Sequence, residues 1–146
     1  MEIKLFEISD YEDAVAFWKG IEGVALNESD SRESIASFLN RNPGSSFIAR
    51  ENGNEIIGTI LCGHNGRAGQ IYHLAVSILY RGKGLGKTLV ELCFSKLAAE
   101  NIPRCNIFVY SNNSIGNGFW LSAGWNDPTT WKVLQKRVEP SNSFKR

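Results

Sequence analysis

The spacing of apolar residues changes several times along the chain, and each change marks an element. From Met1 to Glu7 apolar and charged residues partly alternate over a stretch short enough for an opening strand, and Ser9 and Asp10 stand as caps before a helix over Tyr11 to Trp18. Large apolar residues are few between Gly20 and Ser31. Helical spacing resumes with Ile35, Phe38 and Leu39 in Ser34 to Leu39, and Pro43-Gly44 ends it. Strand patterning follows: Phe47-Ile48-Ala49 and Ile56 to Leu61 flank Asn52-Gly53, a pair that favours a hairpin turn because both residues tolerate positive φ. A further turn from Asn65-Gly66 to Gly69 leads into Gln70 to Ile78, the third strand of a meander, which runs into a cluster of glycines.

Beyond the glycines, Leu85, Leu89, Leu92, Cys93 and Leu97 fall on one helical face, with Lys87, Glu91 and Ser95 outside it. Pro103 closes this helix. Cys105 to Tyr110 reads as a strand, Ser114 to Ala123 as a short helix stopped by Gly124, and Trp131 to Val138 as a last strand. No repeat or linker divides the chain, so residues 1–140 are expected to form one α/β (α+β) domain, with 141–146 as a loose tail.

Composition fits that picture and narrows the partners. With 146 residues, 42% of them apolar, the chain has material for one core. Sixteen basic against 15 acidic residues leave a formal charge of +1, so no overall field draws the protein to nucleic acid or an anionic membrane, and any anion site must be local. Cys62, Cys93 and Cys105 are odd in number and widely spaced, which fits buried free thiols rather than a metal or redox motif; no metal-ligand cluster is visible. Charges at Glu2 and Lys4 stand where a signal peptide needs an apolar run, and no segment reaches membrane-spanning length, so the expected location is cytoplasmic.

The chemistry gathers at Arg81-Gly82-Lys83-Gly84-Leu85-Gly86. A strand ending in glycines that open a helix turns unpaired N–H groups and the positive end of the helix dipole toward whatever lies in front, and phosphate is the natural ligand. Arg81, Lys83 and Lys87 add charge that can reach phosphate oxygens. Gly86-Lys87-Thr88 matches the end of a nucleotide-hydrolase loop, but that motif needs a glycine where Arg81 stands. The dinucleotide fingerprint fails as well, since its third glycine would fall at Lys87 or Leu89.

What fits is Arg-x-x-Gly-x-Gly, as Arg81, Gly84 and Gly86, after Leu74-Ala75-Val76 on a strand and before an amphipathic helix. Downstream, Asn113, Gly116, Trp120, Gly124 and Trp125 keep the spacing of a second pattern, Asn-x-x-Ala-x-x-x-Tyr-x-x-x-Gly-Phe. Together they resemble the GNAT superfamily of acyl-CoA N-acyltransferases, and the order of elements over the whole chain is similar to that family's. The resemblance implies a mixed, mostly antiparallel sheet flanked by about four helices, with the fourth and fifth strands splayed around the pantetheine arm of acetyl-CoA. It implies contacts to the arm from the backbone at Leu74, Ala75 and Val76, to the pyrophosphate from Arg81, Gly82, Lys83, Gly84, Leu85, Gly86 and Lys87, and a polar contact from Asn113, which also suits a helix N-cap.

The catalytic positions depart from the family's pattern. Transfer to an amine requires loss of a proton before attack on the thioester, so a base is expected. The family's usual glutamate positions hold Gln70 and Phe108, and its usual tyrosine acid is Trp120, whose indole donates a hydrogen bond but gives up no proton near neutrality. By strand parity Gln70, Tyr72, Leu74 and Val76 share one face, and Phe108 and Tyr110 share a face of the next strand. Tyr72 and Tyr110 are therefore the nearest alternative proton donors, with Trp120 either packing against the cofactor or orienting the sulfur. His73 has the opposite parity, and His64 sits near a turn.

Two functions remain open on these residues: an acetyltransferase in which a primary amine attacks directly, and a CoA-binding module of the same fold with weak or no catalysis. Both need the CoA site. The acceptor, a small-molecule or peptide amine, is expected to meet the first two helices and the loops near His64 and Asn126, where Glu22, Glu28, Asp30 and Glu33 would attract a cation. The apolar last strand could close the sheet or pair across a homodimer.

Overall fold

The computed structural model describes residues 1–138. One sheet carries β1 (Glu2–Leu5), β2 (Phe47–Glu51), β3 (Glu55–His64), β4 (Gly69–Val76) and β5 (Cys105–Ile107) in that spatial order. The first three pairings are antiparallel, β2–β3 and β3–β4 as hairpins and β1–β2 across the two intervening helices, and β4 pairs β5 in parallel through a helical crossover. At the β2–β3 turn Asn52, Gly53 and Asn54 all take positive φ, the conformation for which Asn and Gly are suited.

Two helices cover each face. On one side α1 (Tyr11–Lys19) and α2 (Arg32–Arg41) enclose a cluster of Trp18, Ile35, Ile48, Leu61 and Ala75. On the other α3 (Leu85–Ala99) and α4 (Ser114–Ser122) pack over Phe47, Ala49, Cys62 and Ile71. Alternation along β2 sends Phe47 and Ala49 to the second cluster and Ile48 to the first. The expected stripe of α3 is buried at Leu85, Leu89, Cys93 and Leu97. Ser31 caps α2 by accepting from the Ser34 N–H at 3.2 Å. Asp10 stands at the start of α1, but its carboxylate serves Glu7 N–H and the Arg50 guanidinium, tying the helix to β2.

Three expectations are corrected. The strand from Gln70 ends at Val76, and a 3-10 turn at Ile78–Tyr80 separates it from the glycines. The strand from Cys105 keeps three paired residues instead of six, because β5 leaves β4 after Ile107. Residues 131–138 form no strand and pair with none of the five, and Trp131, Val133 and Leu134 stand exposed. The expected tail at 141–146 lies outside the described residues.

Candidate functional site

Gly82 and Gly84 have φ of +76° and +86°, and a Cβ at either would meet nothing within 4 Å. Both glycines are there for backbone conformation, not for space. Gly84 is the N-cap of α3 and supplies no side-chain oxygen, so the first-turn N–H groups, from Leu85 on, point outward without a cap. Leu85 itself is buried, and its contribution to a ligand is its N–H. Lys83 lies over the Tyr80 ring, 5.5 Å from its centroid. Arg81 donates through Nε to the Val76 carbonyl at 3.1 Å, and Lys87 is exposed in the first turn. A phosphate here would meet backbone donors, the helix dipole and three cations.

From that loop a gap runs down between β4 and β5. Their pairing covers only Gly69–Cys105, Gln70–Asn106 and Ile71–Ile107. Farther along β4, Ser77 N–H donates to Ile57 of β3 at 2.8 Å. Alternation then turns the N–H and C=O of Val76 the other way, toward the side β5 has left, where the carbonyl accepts from Arg81 Nε. An extended amide-bearing chain lying there would complete a ladder that β4 begins. Ala75 is in register with Thr59 of β3 and Val76 with Gly58, and the Ala75 side chain is buried toward α1.

Asn113 caps α4, its Oδ1 accepting from Gly116 N–H at 2.9 Å. Its amide NH2 has no hydrogen bond to the described residues and lies close to Gly23 of the α1–α2 connection, where a Cβ would sit 3.1 Å from it. Gly116 replaces the alanine of the family's pattern; a Cβ there would come within 2.6 Å of the same nitrogen, so the glycine permits this amide orientation. Phe119 covers Gly86, and Trp120 is buried in the core, edge-on to Phe119 and Trp125. Trp120 is thus placed as packing. Phe108 and Tyr110 stand exposed past the end of β5.

The β3–β4 register changes the parity argument. Thr59 pairs with Ala75 and Leu61 with Tyr72, so two steps on β3 span three on β4. The extra residue is a bulge at His73 and Leu74, with His73 at φ +49°. Past the bulge the faces exchange: Ile71, Leu74 and Val76 face α3, while Tyr72, His73 and Ala75 face α1 and α2. The expectation that Gln70 and Tyr72 share a face with Leu74 and Val76 is therefore corrected. Tyr72 lies edge-on to Phe38 of α2, and burial raises its hydroxyl above the ordinary tyrosine value.

His73 lies opposite Leu74 and Val76, as parity had it, but shares its face with Tyr72. Its Nε2 is 2.7 Å from Asp30 Oδ1, in the turn that precedes α2, and its ring lies on Trp18, 4.7 Å between centroids. Trp18 Nε1 donates to Thr59 Oγ1 at 2.8 Å, and that hydroxyl donates to the His73 carbonyl at 2.9 Å. Burial works against the charge of Asp30, but the His73 hydrogen bond, the Asn27 N–H and the imidazole's charge outweigh it and hold the carboxyl below its ordinary value. No sequence spacing signals this pair, since 43 positions separate its members. His64 serves elsewhere: Gly66 N–H donates to its Nδ1, which puts its proton on Nε2 beside Glu100. Glu28 pairs with Arg137 at the surface, while Glu22 and Glu33 are exposed. Among the described residues no group of His, Cys, Asp and Glu could hold a metal, and no helix is long and apolar enough to cross a membrane.

An open sheet with splayed strands and a glycine cradle at a helix start defines the class of acyl-CoA-dependent acyltransferases. Residues 11–125 match the Acetyltransferase (GNAT) family, and the chain belongs to it. An acetyltransferase of Yersinia pestis (strain Pestoides F) is 31% identical over 138 residues, covering 94% of this chain and 96% of that protein. In fold the chain is similar to the PaiA N-acetyltransferase of Thermoplasma acidophilum in complex with coenzyme A, with a TM-score of 0.71, 21% identity and coverage of 86% and 89%. It is also similar to Naa20 of Chaetomium thermophilum in complex with a bisubstrate analogue, with a TM-score of 0.75, 17% identity and coverage of 85% and 70%. The protein is an acyltransferase.

Proposed function

We propose that the protein transfers the acetyl group of acetyl-CoA to a primary amine, which attacks the thioester directly. The observation that carries this reading is the continuous path from the Gly82–Gly86 cradle to the stretch of β4 at Val76 and Leu74 along which β5 makes no pairing. A pyrophosphate at the cradle sets a pantetheine arm along that backbone, and its thioester arrives beside the bulge. Arg81, Lys83 and Lys87 neutralise the phosphates, and the Asn113 amide donates from the far side of the gap. The PaiA complex holds coenzyme A and the Naa20 complex a bisubstrate analogue, which supports a site for donor and acceptor together in this fold.

The donor comes from the α3/α4 face, which leaves the α1/α2 face to the acceptor. Tyr72 and Phe38 wall that side, so Tyr72 shapes the acceptor pocket. Tyr110, exposed where β5 departs, is the hydroxyl we assign to the leaving thiolate; a thiol of pKa about 8.5 needs only partial help to depart. A small molecule or a peptide end fits this reading, and three free cysteines suit a reducing cytoplasm.

The test pairs calorimetry of CoA with thiol release from acetyl-CoA across glycinamide, lysine, spermidine, kanamycin and a peptide with a free N-terminus. Saturable CoA binding and release that depends on one of these amines are expected. Binding without release on any amine would reduce the protein to a CoA-binding module, and absence of binding would end both readings.

A further inference from the structure

We infer that His73 is the base that takes the proton from the acceptor amine, with Asp30 as the residue that positions it. The inference rests on the acetyl-transfer reading above and adds a residue outside the motif positions at which the family's base is usually found.

Three observations carry it. The first is place: His73 is the residue before Leu74, on the stretch of β4 along which β5 makes no pairing, and the bulge turns its side chain to the α1/α2 face from which the acceptor must come. The second is the tautomer. Asp30 is ionised at neutral pH, so the 2.7 Å contact requires the imidazole proton on Nε2. Nδ1 makes no bond to the described residues, and in the neutral ring its lone pair is free. The third is the effort spent in holding the ring. A histidine at φ +49° is an uncommon conformation, and it is kept by the Thr59 hydroxyl on its carbonyl, Trp18 under its ring and Asp30 on its edge. Asp30 is itself fixed by the Asn27 N–H on its carboxylate and the Tyr11 hydroxyl on its carbonyl. The groups facing His73 that titrate are thus Asp30 and, beside it, Tyr72 and Tyr11; Trp18 and Thr59 are neutral. On the same face the Gln70 Nε2 is buried without a partner among the described residues, which marks a place for a water or an acceptor oxygen.

The step closes in atoms and charge. The ammonium gives one proton to Nδ1, forming an imidazolium held by the Asp30 carboxylate. The freed lone pair attacks the thioester carbonyl carbon, making the C–N bond and placing the π pair on oxygen. As that pair returns, the C–S bond breaks with its electrons on sulfur, and the thiolate, met by the Tyr110 hydroxyl, takes up in net the second proton of the nitrogen. His73 releases its proton to solvent, so ammonium and acetyl-CoA become amide, CoA thiol and one proton.

His73→Asn is the informative variant, because asparagine tolerates positive φ. With an amine that the wild type acetylates, kcat/KM at neutral pH should fall by about 10²- to 10⁴-fold. CoA affinity should stay near wild type, and the melting temperature should drop only by the modest amount that loss of the Asp30 contact entails. The loss should shrink at high pH, and should nearly vanish with methoxyamine, which is already unprotonated at pH 7. A purely structural role would depress all amines alike. Asp30→Asn leaves His73 in place and provides the second variant, with a smaller loss of the same pH shape. Independently of turnover, imidazole ¹⁵N shifts of the wild type should show that the neutral ring carries its proton on Nε2 and leaves Nδ1 bare. A His73→Asn enzyme with wild-type kcat/KM and pH profile, or a neutral ring with its proton on Nδ1, would overturn the assignment. Failure of the wild type on every amine would instead remove the transferase reading and this base with it.

Discussion

At the scale of single residues, the bulge depends on hydrogen bonds that a sequence pattern does not show. Thr59 is fully buried and joins the Trp18 indole to the His73 carbonyl. Thr59→Val keeps the shape but leaves that buried N–H and that carbonyl unpaired, which should cost about 1–3 kcal/mol in urea unfolding. Loss of stability without loss of the His73–Asp30 contact would show Thr59 to be a support only. Asp30 makes a different prediction. Its folded pKa lies below the ordinary 3.8, so it adds stability above the unfolded value, and that stability disappears as pH falls through the lower, folded value. Asp30→Asn should therefore be less stable than wild type at neutral pH, with the gap closing in acid as the wild-type carboxylate protonates. Parallel acid-unfolding curves with a constant gap would disprove this linkage.

At the scale of elements, the helices and hairpins were readable because their causes are local. The Asn52-Gly53 turn, the α3 stripe and the Pro43 stop depend on neighbours a few positions away, and all three stand where the pattern put them. The cradle was legible for the same reason, since glycine at positive φ before a helix is a local demand. What could not be read was non-local. One inserted residue on β4 reverses the faces beyond it, and only the pairing with β3 reveals it; parity alone therefore separated His73 from Tyr72 and made Tyr72 look like a neighbour of Val76. The length of β5 and the absence of a strand at 131–138 likewise depend on partners, not on composition. The cradle and α4 allow a matched comparison of glycines. Gly84→Ala places a Cβ at φ +86° and should cost about 1–2 kcal/mol, with a similar penalty on CoA affinity if the loop shifts to escape it. Gly118→Ala lies in α4 on ordinary helical backbone with open space around it and should stabilise by about 0.5–1 kcal/mol. Thermal melts with and without CoA separate the two, and an unaffected CoA affinity in Gly84→Ala would argue against the cradle.

At the scale of the molecule, the sheet divides the work between its faces. On the proposed reading the donor cradle and α4 lie with α3 and the acceptor wall lies with α1 and α2, so both substrates reach the gap from opposite sides at once. A covalent acetyl-enzyme would need a nucleophile at the gap, and the cysteines do not provide one. Cys62 and Cys93 are fully buried. Contact with Cys105 favours the Cys62 thiolate, but Cys93 and burial outweigh it and push that thiol up to about 12. Cys105 is raised too, by Cys62 and by burial, so neither Cys62 nor Cys105 offers a thiolate at neutral pH. Initial rates measured over a grid of acetyl-CoA and amine concentrations should accordingly give intersecting double-reciprocal lines, the pattern of a ternary complex. Intact-mass spectra of enzyme held with acetyl-CoA alone should show no added acetyl group. Parallel lines with a stable acetylated species would establish a two-stage route through an enzyme nucleophile and refute direct attack, while leaving the CoA cradle as described.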